Sequence, residues 1–235
     1  MQSGFLSKKV CFLFVALLLG GMRLAVEAVP SPGSDAPYHL SGFVNLLPVE
    51  NKMVLAVVVR QNNQLVPKLK VKLKGNPTLE ITPGKYIAND VAFTPVPGNA
   101  VQVTFDHLVP AQNLHFMISR LTAQATISDL VTITSPRRDH GGLPLHANTL
   151  QAGPLIVEWM GGTPPYWVQI ISGVTLVYSE KKVFGKTLSI PSNVFSSRKE
   201  YQVVVHSSSN MNYDKEVDPS SSFVLMLTDY VNIIW

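Results

Sequence analysis

Lys68-Leu69-Lys70-Val71-Lys72-Leu73-Lys74 alternates a cation with an aliphatic residue over its whole length. Only an extended chain sorts such a stretch, because strand side chains point to opposite faces in turn while a helix would scatter them around its circumference. The stretch predicts a strand with one buried and one wet face. The same period recurs outward from it, where Val101, Val103 and Phe105 alternate with Gln102, Thr104 and Asp106. Met53 to Val59 is instead an unbroken apolar run of strand length, the pattern of a central strand covered on both sides. Two more strands are expected near Leu114 to Ala125 and Ile127 to Thr134. No segment carries a sustained helical stripe with a cap, so the chain reads as all-β.

Turn residues punctuate these runs at the spacing of a sandwich or barrel. Gly75-Asn76-Pro77 is read as a hairpin loop between Lys68 to Lys74 and Thr78 to Thr82. A three-residue loop sets Leu73 opposite Leu79, Val71 opposite Ile81 and Glu80 opposite Lys72. Pro83-Gly84, Pro95-Val96-Pro97-Gly98 and Pro110-Ala111-Gln112-Asn113 mark later turns, and the serines at Ser207 to Ser209 and Ser220 to Ser222 suit turns as well. The segment from Ser135 to Gly153 concentrates Pro136, Arg137, Arg138, Asp139, Gly141, Gly142 and Pro144, which neither period can use, and reads as a linker. The expected division is two tandem antiparallel β-sandwiches, residues 38–135 and 136–235, behind a flexible segment 29–37.

At the start, Lys8 and Lys9 precede the apolar run Val10 to Leu19, and Val26-Glu27-Ala28 presents small residues where a signal peptidase reads them. Residues 1–28 are expected to be a signal peptide, with the mature chain beginning near Val29 outside the cytoplasm. An uncleaved anchor is the alternative; Arg23 ends the apolar run at about half of the roughly twenty residues a spanning helix needs. No membrane span is expected after cleavage. Cys11 is the single cysteine and lies in the leader, so the mature chain has no disulfide, no zinc-thiolate site and no cysteine nucleophile. Its roughly two hundred residues suffice for one large or two ordinary cores. The formal charge of +4 falls to +2 once Lys8, Lys9, Arg23 and Glu27 are removed, too little to argue for a nucleic-acid partner. The only Asn-x-Ser/Thr match is Asn76-Pro77-Thr78, which its proline disqualifies, as fits a bacterial exported protein.

In the second half, Leu155-Ile156-Val157-Glu158-Trp159 reads as a strand with a core tryptophan, and Gly161-Gly162-Thr163-Pro164-Pro165-Tyr166 as the turn into Trp167-Val168-Gln169-Ile170. Thr187-Leu188-Ser189-Ile190-Pro191 and Tyr201-Gln202-Val203-Val204-Val205 follow. This arrangement resembles a fibronectin type III or related immunoglobulin-like module over about ninety residues. The resemblance implies a fifth strand, a corner and a sixth strand, with the hydroxyl of Tyr201 bonding back to the preceding backbone. Ser192 to Glu200 makes the corner longer than usual. The first half resembles, more loosely, the immunoglobulin-like insert modules of bacterial surface proteins. Both resemblances imply binding, spacing or adhesion, which a fold does not by itself establish.

Three groups are candidate binding residues. Lys68, Lys70, Lys72 and Lys74 project from one face at intervals of about 6.8 Å, a row suited to an anionic polysaccharide, teichoic acid or lipid head groups; the stronger reading is that exposed lysines keep a strand from pairing edge to edge. Asn212, Asp214, Glu216 and Asp218 place oxygens at every second position, as calcium requires, without the turn glycine or distal glutamate of an EF-hand; the other reading is a polar hairpin loop that contacts a partner. Tyr166 and Trp167 point to opposite sides of one strand, so that with Tyr166 in the core, Trp167 and Gln169 face outward and the indole offers a sugar platform.

Catalytic signatures are missing: the six histidines form no H-E-x-x-H, there is no Gly-x-Ser-x-Gly, and Glu158 between Val157 and Trp159 reads as a strand residue facing water. Neither a metal site nor a cofactor is expected. Tyr230 to Trp235 alternates like an outer-membrane barrel terminus, but the upstream strands lack repeated lipid-facing segments, so it reads as the closing strand of the second sandwich. The expected function is an exported, non-enzymatic binding or structural module at the cell surface or in the periplasm, whose partner is an envelope protein or polysaccharide. The alternative is a carbohydrate-binding module accessory to a secreted polysaccharide-active system.

Overall fold

The computed structural model describes residues 39–49, 52–61, 64–65, 69–73, 78–81, 87–93, 95–110, 116–137, 145–146, 153–196, 199–214 and 217–235. In chain order the strands are β1 (Leu40–Val49), β2 (Lys52–Gln61), β3 (Gln64–Leu65), β4 (Leu69–Leu73), β5 (Leu79–Ile81), β6 (Ile87–Phe93), β7 (Ala100–Pro110), β8 (Phe116–Thr126) and β9 (Thr132–Ser135). They continue with β10 (Leu145–His146), β11 (Leu155–Met160), β12 (Tyr166–Ser172), β13 (Thr175–Val183), β14 (Thr187–Ile190), β15 (Glu200–Asn210), β16 (Asn212–Tyr213) and β17 (Ser222–Ile234). No α-helix occurs among the described residues, so the chain is all-β, as the alternation predicts.

The strands form three sheets. The largest runs β13-β12-β15-β17-β1-β2-β3, with β10 also on β17 and β6 also on β2. The others run β14-β11-β9 and β16-β8-β7-β4-β5. Alternation decides what each strand buries. On β11, Leu155, Val157 and Trp159 turn inward while Ile156, Glu158 and Met160 stay exposed. Val101 and Val103 on β7 and Leu121, Ala123 and Ala125 on β8 likewise face in. These side chains meet Val44, Leu46, Leu55 and Val57 of the large sheet in one continuous core that draws on all three sheets.

The large sheet also buries its other face. Phe43, Leu47, Ala56, Val58, Ile171, Val204 and Met226 form a second cluster there. Leu55 to Val59 are accordingly all buried, the outcome an unbroken apolar run predicts.

Hydrogen bonding crosses the expected division after Ser135. β1 runs parallel to β17, with Phe43 level with Val224 and Leu46 with Leu227, and antiparallel to β2 on its other side. β9 pairs with β11, and β16 pairs with β8. The first and last of the described strands thus share one sheet. Close approach is needed there: Gly42 has φ 145°, and a Cβ at that position would collide with the Val58 carbonyl of β2.

Several expectations are corrected. The β4–β5 hairpin sets Val71 opposite Leu79, Leu69 opposite Ile81 and Glu80 opposite Lys70, a shift of two from the three-residue loop; Gly75, Asn76 and Pro77 lie outside the described residues. A shift of two keeps each side chain on its own face, so hydrophobic pattern does not resist it. β17 is not a closing strand, because it sits between β15 and β1 in the sheet interior. Asp229, which interrupts its alternation, is buried and accepts the Ile133 N–H of β9 at 2.7 Å. Ser207 to Ser209 lie within β15 rather than in a turn.

The long corner still makes its tyrosine bond. Tyr201 Oη accepts the Ser196 N–H at 2.7 Å, and Phe195 packs edge-to-face on Tyr201 and stacks on Trp235 at 4.3 Å between ring centres.

Candidate functional site

The outer face of the five-stranded sheet brings together residues that are far apart in sequence. Period two leaves Lys70 and Lys72 of β4 exposed, with Gln102 and Thr104 of β7 and Thr122 and Gln124 of β8 on the same side. Register then aligns them. Lys72 faces Gln102, Gln102 faces Gln124 and Gln124 faces Asn212 of β16, making one transverse row. A second row runs from Glu80 through Lys70 and Thr104 to Thr122.

Lateral bonds hold both rows. Gln102 Nε2 donates to Gln124 Oε1 at 3.1 Å, Thr104 and Thr122 hydroxyls are 3.3 Å apart, and Lys70 Nζ meets Glu80 Oε1 at 2.8 Å. The ion pair is half exposed, 51% and 54%, so it is worth under about 1 kcal/mol and serves mainly to orient Lys70. Lys68 and Lys74 lie outside the described residues.

Two clusters that are separate in the sequence thus share one surface, the lysines at one side and Asn212 to Asp214 at the other. Asp214 continues the β16–β8 pairing: its N–H donates to the Thr122 carbonyl at 3.0 Å, and its Oδ1 accepts the Thr122 N–H at 2.8 Å. Asp218 Oδ1 accepts both the Ser220 N–H at 2.8 Å and the Ser220 hydroxyl at 2.6 Å. These bonds, the hydroxyl first, hold the Asp218 carboxyl below its ordinary range, with help from the charge of His39. Both carboxylates therefore bind the protein's own backbone. Glu216 lies outside the described residues. No cluster of three His, Cys, Asp or Glu suited to a metal occurs among the described residues.

The aromatic pair divides as alternation requires. Tyr166 is buried, donates its hydroxyl to the Gly161 carbonyl at 2.9 Å and packs edge-to-face on Trp159; burial pushes its phenol pKa up. Trp167 is half-buried on the far face, where its Nε1 donates to Ser179 Oγ at 2.8 Å and Lys181 Nζ lies 5.0 Å from the ring centre. Gln169, expected outside beside it, is buried. The reason is a polar row across four strands of a sheet covered on both faces. His206 Nε2 bonds Gln169 Oε1 at 2.8 Å, His206 Nδ1 bonds the Thr228 hydroxyl at 2.7 Å, and that hydroxyl reaches Asn45 Oδ1 at 2.7 Å. Full burial lowers the His206 pKa to about 3, so the ring is neutral.

Reading the sequence strand by strand does not find Gln124 or Thr122 as partners of the lysines. The available signal is the period of two that places Gln102 and Thr104 on a wet face. Register supplies the rest.

No family model matches this chain, and no curated protein matches it. Among solved structures, one similar chain comes from work on the host cell surface retention of a 1.5-MDa bacterial ice-binding adhesin. Identity is 11% and the TM-score 0.24, over 86% of this chain and 65% of that one, so this chain spans less than two thirds of the adhesin chain. At that score the likeness establishes neither fold nor function.

Proposed function

We propose that this chain is an exported, non-enzymatic binding or structural module of the cell surface or periplasm, and that the outer face of its five-stranded sheet is the contact surface. The observation that carries the reading is the transverse row Lys72-Gln102-Gln124-Asn212, aligned by strand register and braced by lateral hydrogen bonds. A face already held in place loses little side-chain entropy on binding. Its lysines suit an anionic envelope polymer, at strand spacings of about 4.8 Å across and about 6.8 Å along. Export rests on the leader pattern of residues 1–28. An immunoglobulin-like arrangement of the second half is supported by the Tyr201 corner bond and by β14-β11-β9 sharing a core with β12, β15 and β17.

A carbohydrate-binding role is favoured by the same row, because the amides of Gln102 and Gln124 both donate and accept and so match sugar hydroxyls. The two readings separate in one experiment. Adsorption to isolated anionic cell-wall polymer is expected to weaken on the order of tenfold in Lys70→Gln with Lys72→Gln, and to weaken with added salt. Binding to neutral glycans that survives this double change but is lost in Gln102→Ala with Gln124→Ala would select the second reading. Turnover of ester or glycoside substrates by the purified protein would overturn both.

A further inference from the structure

The turn between β13 and β14 carries Phe184, 70% exposed, among Lys181, Lys182 and Lys186, which are exposed as well. A phenylalanine left mostly in water has no packing reason to be there. The adjacent strand enlarges the feature. The Trp159 N–H donates to the Lys186 carbonyl at 3.1 Å, which continues the β11–β14 register past Glu158 and Thr187 and sets Met160, 56% exposed, beside the turn. Tyr166 pairs with Val183, so the exposed Pro164 and Pro165 border the same end.

The backbone is strained at this tip. Tyr166 faces Val183 while Trp167 faces Lys181, leaving Lys182 as the extra residue of a bulge. Lys182 has φ 63° and is the non-glycine residue with positive φ among those described. A lysine in that conformation costs about 1 kcal/mol, and bulges re-aim the side chains around them. Neither 159–167 nor 181–187 contains an aspartate or glutamate, so the charges of these two stretches are cations only. Glu158 and Glu180 flank these stretches, and Asp129 approaches through its carbonyl, which accepts the Gly162 N–H.

We propose that this tip docks the protein on an anionic lipid surface, with Phe184 and Met160 entering the boundary between head groups and acyl chains and the three lysines lying among the phosphates. The surface is distinct from the polar sheet face and the inference does not depend on it. Shape and charge favour lipid over an acidic protein. The apolar residues project from a turn and a strand end, and a fluid interface closes around a projection, whereas a protein partner would need a matching pocket. Lysines act on a bilayer as point charges and need no fixed geometry.

The test uses the full chain with Cys11→Ser, Met160→Cys and an environment-sensitive fluorophore on the new thiol. With equimolar phosphatidylglycerol and phosphatidylcholine vesicles, the emission is expected to shift to the blue and to be quenched by brominated acyl chains. Pure phosphatidylcholine should give no shift. The same label at Val174→Cys, at the far end of β13 about 30 Å away by strand rise, should stay silent, which separates docking at the tip from adsorption through the apolar leader. Adding Phe184→Ala should raise the lipid concentration needed about tenfold, and replacing Lys181, Lys182 and Lys186 together by Gln on the order of a hundredfold. No shift at position 160, equal shifts at both positions, or a shift indifferent to these replacements would overturn the proposal. Binding to polyglutamate without any vesicle response would overturn it in favour of an acidic macromolecule.

Discussion

His206 has both ring nitrogens bonded and no contact with water, so its protonation is coupled to folding. Its folded pKa lies at about 3, below the ordinary value near 6.5. Between those values the unfolded chain takes up a proton that the folded chain refuses, so stability is complete above about pH 6.5 and declines as pH falls, by roughly 1 kcal/mol per unit. Urea titrations across this window should show the decline in the parent and a shallower one in His206→Phe. That variant also takes from Gln169 and Thr228 the hydrogen bonds they make to the ring and should lose about 2–4 kcal/mol at neutral pH. A neutral ring donates from one nitrogen only. With Nε2–H donating to Gln169 and the Thr228 hydroxyl donating to Nδ1, Thr228 has no proton left for Asn45 Oδ1. Turning the Asn45 amide over supplies a donor to Thr228 and removes a buried Nδ2 that otherwise has no partner. Nitrogen NMR of the imidazole is expected to report the Nε2–H tautomer. None of this was legible in the sequence, where Asn45, Gln169, His206 and Thr228 look like residues of wet faces. Polar residues on a sheet covered from both sides must pair sideways, and their partners are set by strand order.

At the scale of elements, the strands themselves were the legible part. The alternation yields β4 and β7 with their faces correctly assigned at Lys70 to Lys72 and Val101 to Thr104, because side-chain direction is a local property of extended backbone. Pairing was less legible: Val71 opposite Leu79 and Val71 opposite Ile81 put the same groups on the same face, so alternation alone does not choose between them. Elements also meet through single close contacts. Gly42→Ala places a Cβ against the Val58 carbonyl at a φ that disfavours side chains, and a loss of about 3 kcal/mol is expected from thermal or urea unfolding. Asp214→Ala should do something milder and more local. Releasing the Thr122 N–H is expected to speed its amide exchange with under about 1 kcal/mol of global change, and to loosen the 212–214 side of the polar face. Lys181, Lys182, Lys186 and Phe184 carry no signal in the sequence, since a basic turn with one aromatic is commonplace until its exposure is known.

For the molecule as a whole, the shared sheet couples the first and last of the described strands. β1 lies between β17 and β2, and the main core draws side chains from all three sheets without a break. Calorimetry is therefore expected to show one cooperative transition, with calorimetric and van't Hoff enthalpies in agreement. A fragment of residues 136–235 would leave one edge of β17 without β1 and should be prone to association. A change of composition such as that from Ser135 to Gly153 says nothing about which strands pair across it. From the order of its amino acids alone, this protein determines its all-β class, the buried and wet face of most strands, and the want of a cysteine other than Cys11, because these depend on periods of two and on composition. Only the tertiary structure decides that β1 joins β17, that Lys72 lines up with Asn212, and that His206 is shut away from water, since each depends on which strands become neighbours, and that is a free-energy balance over the whole chain.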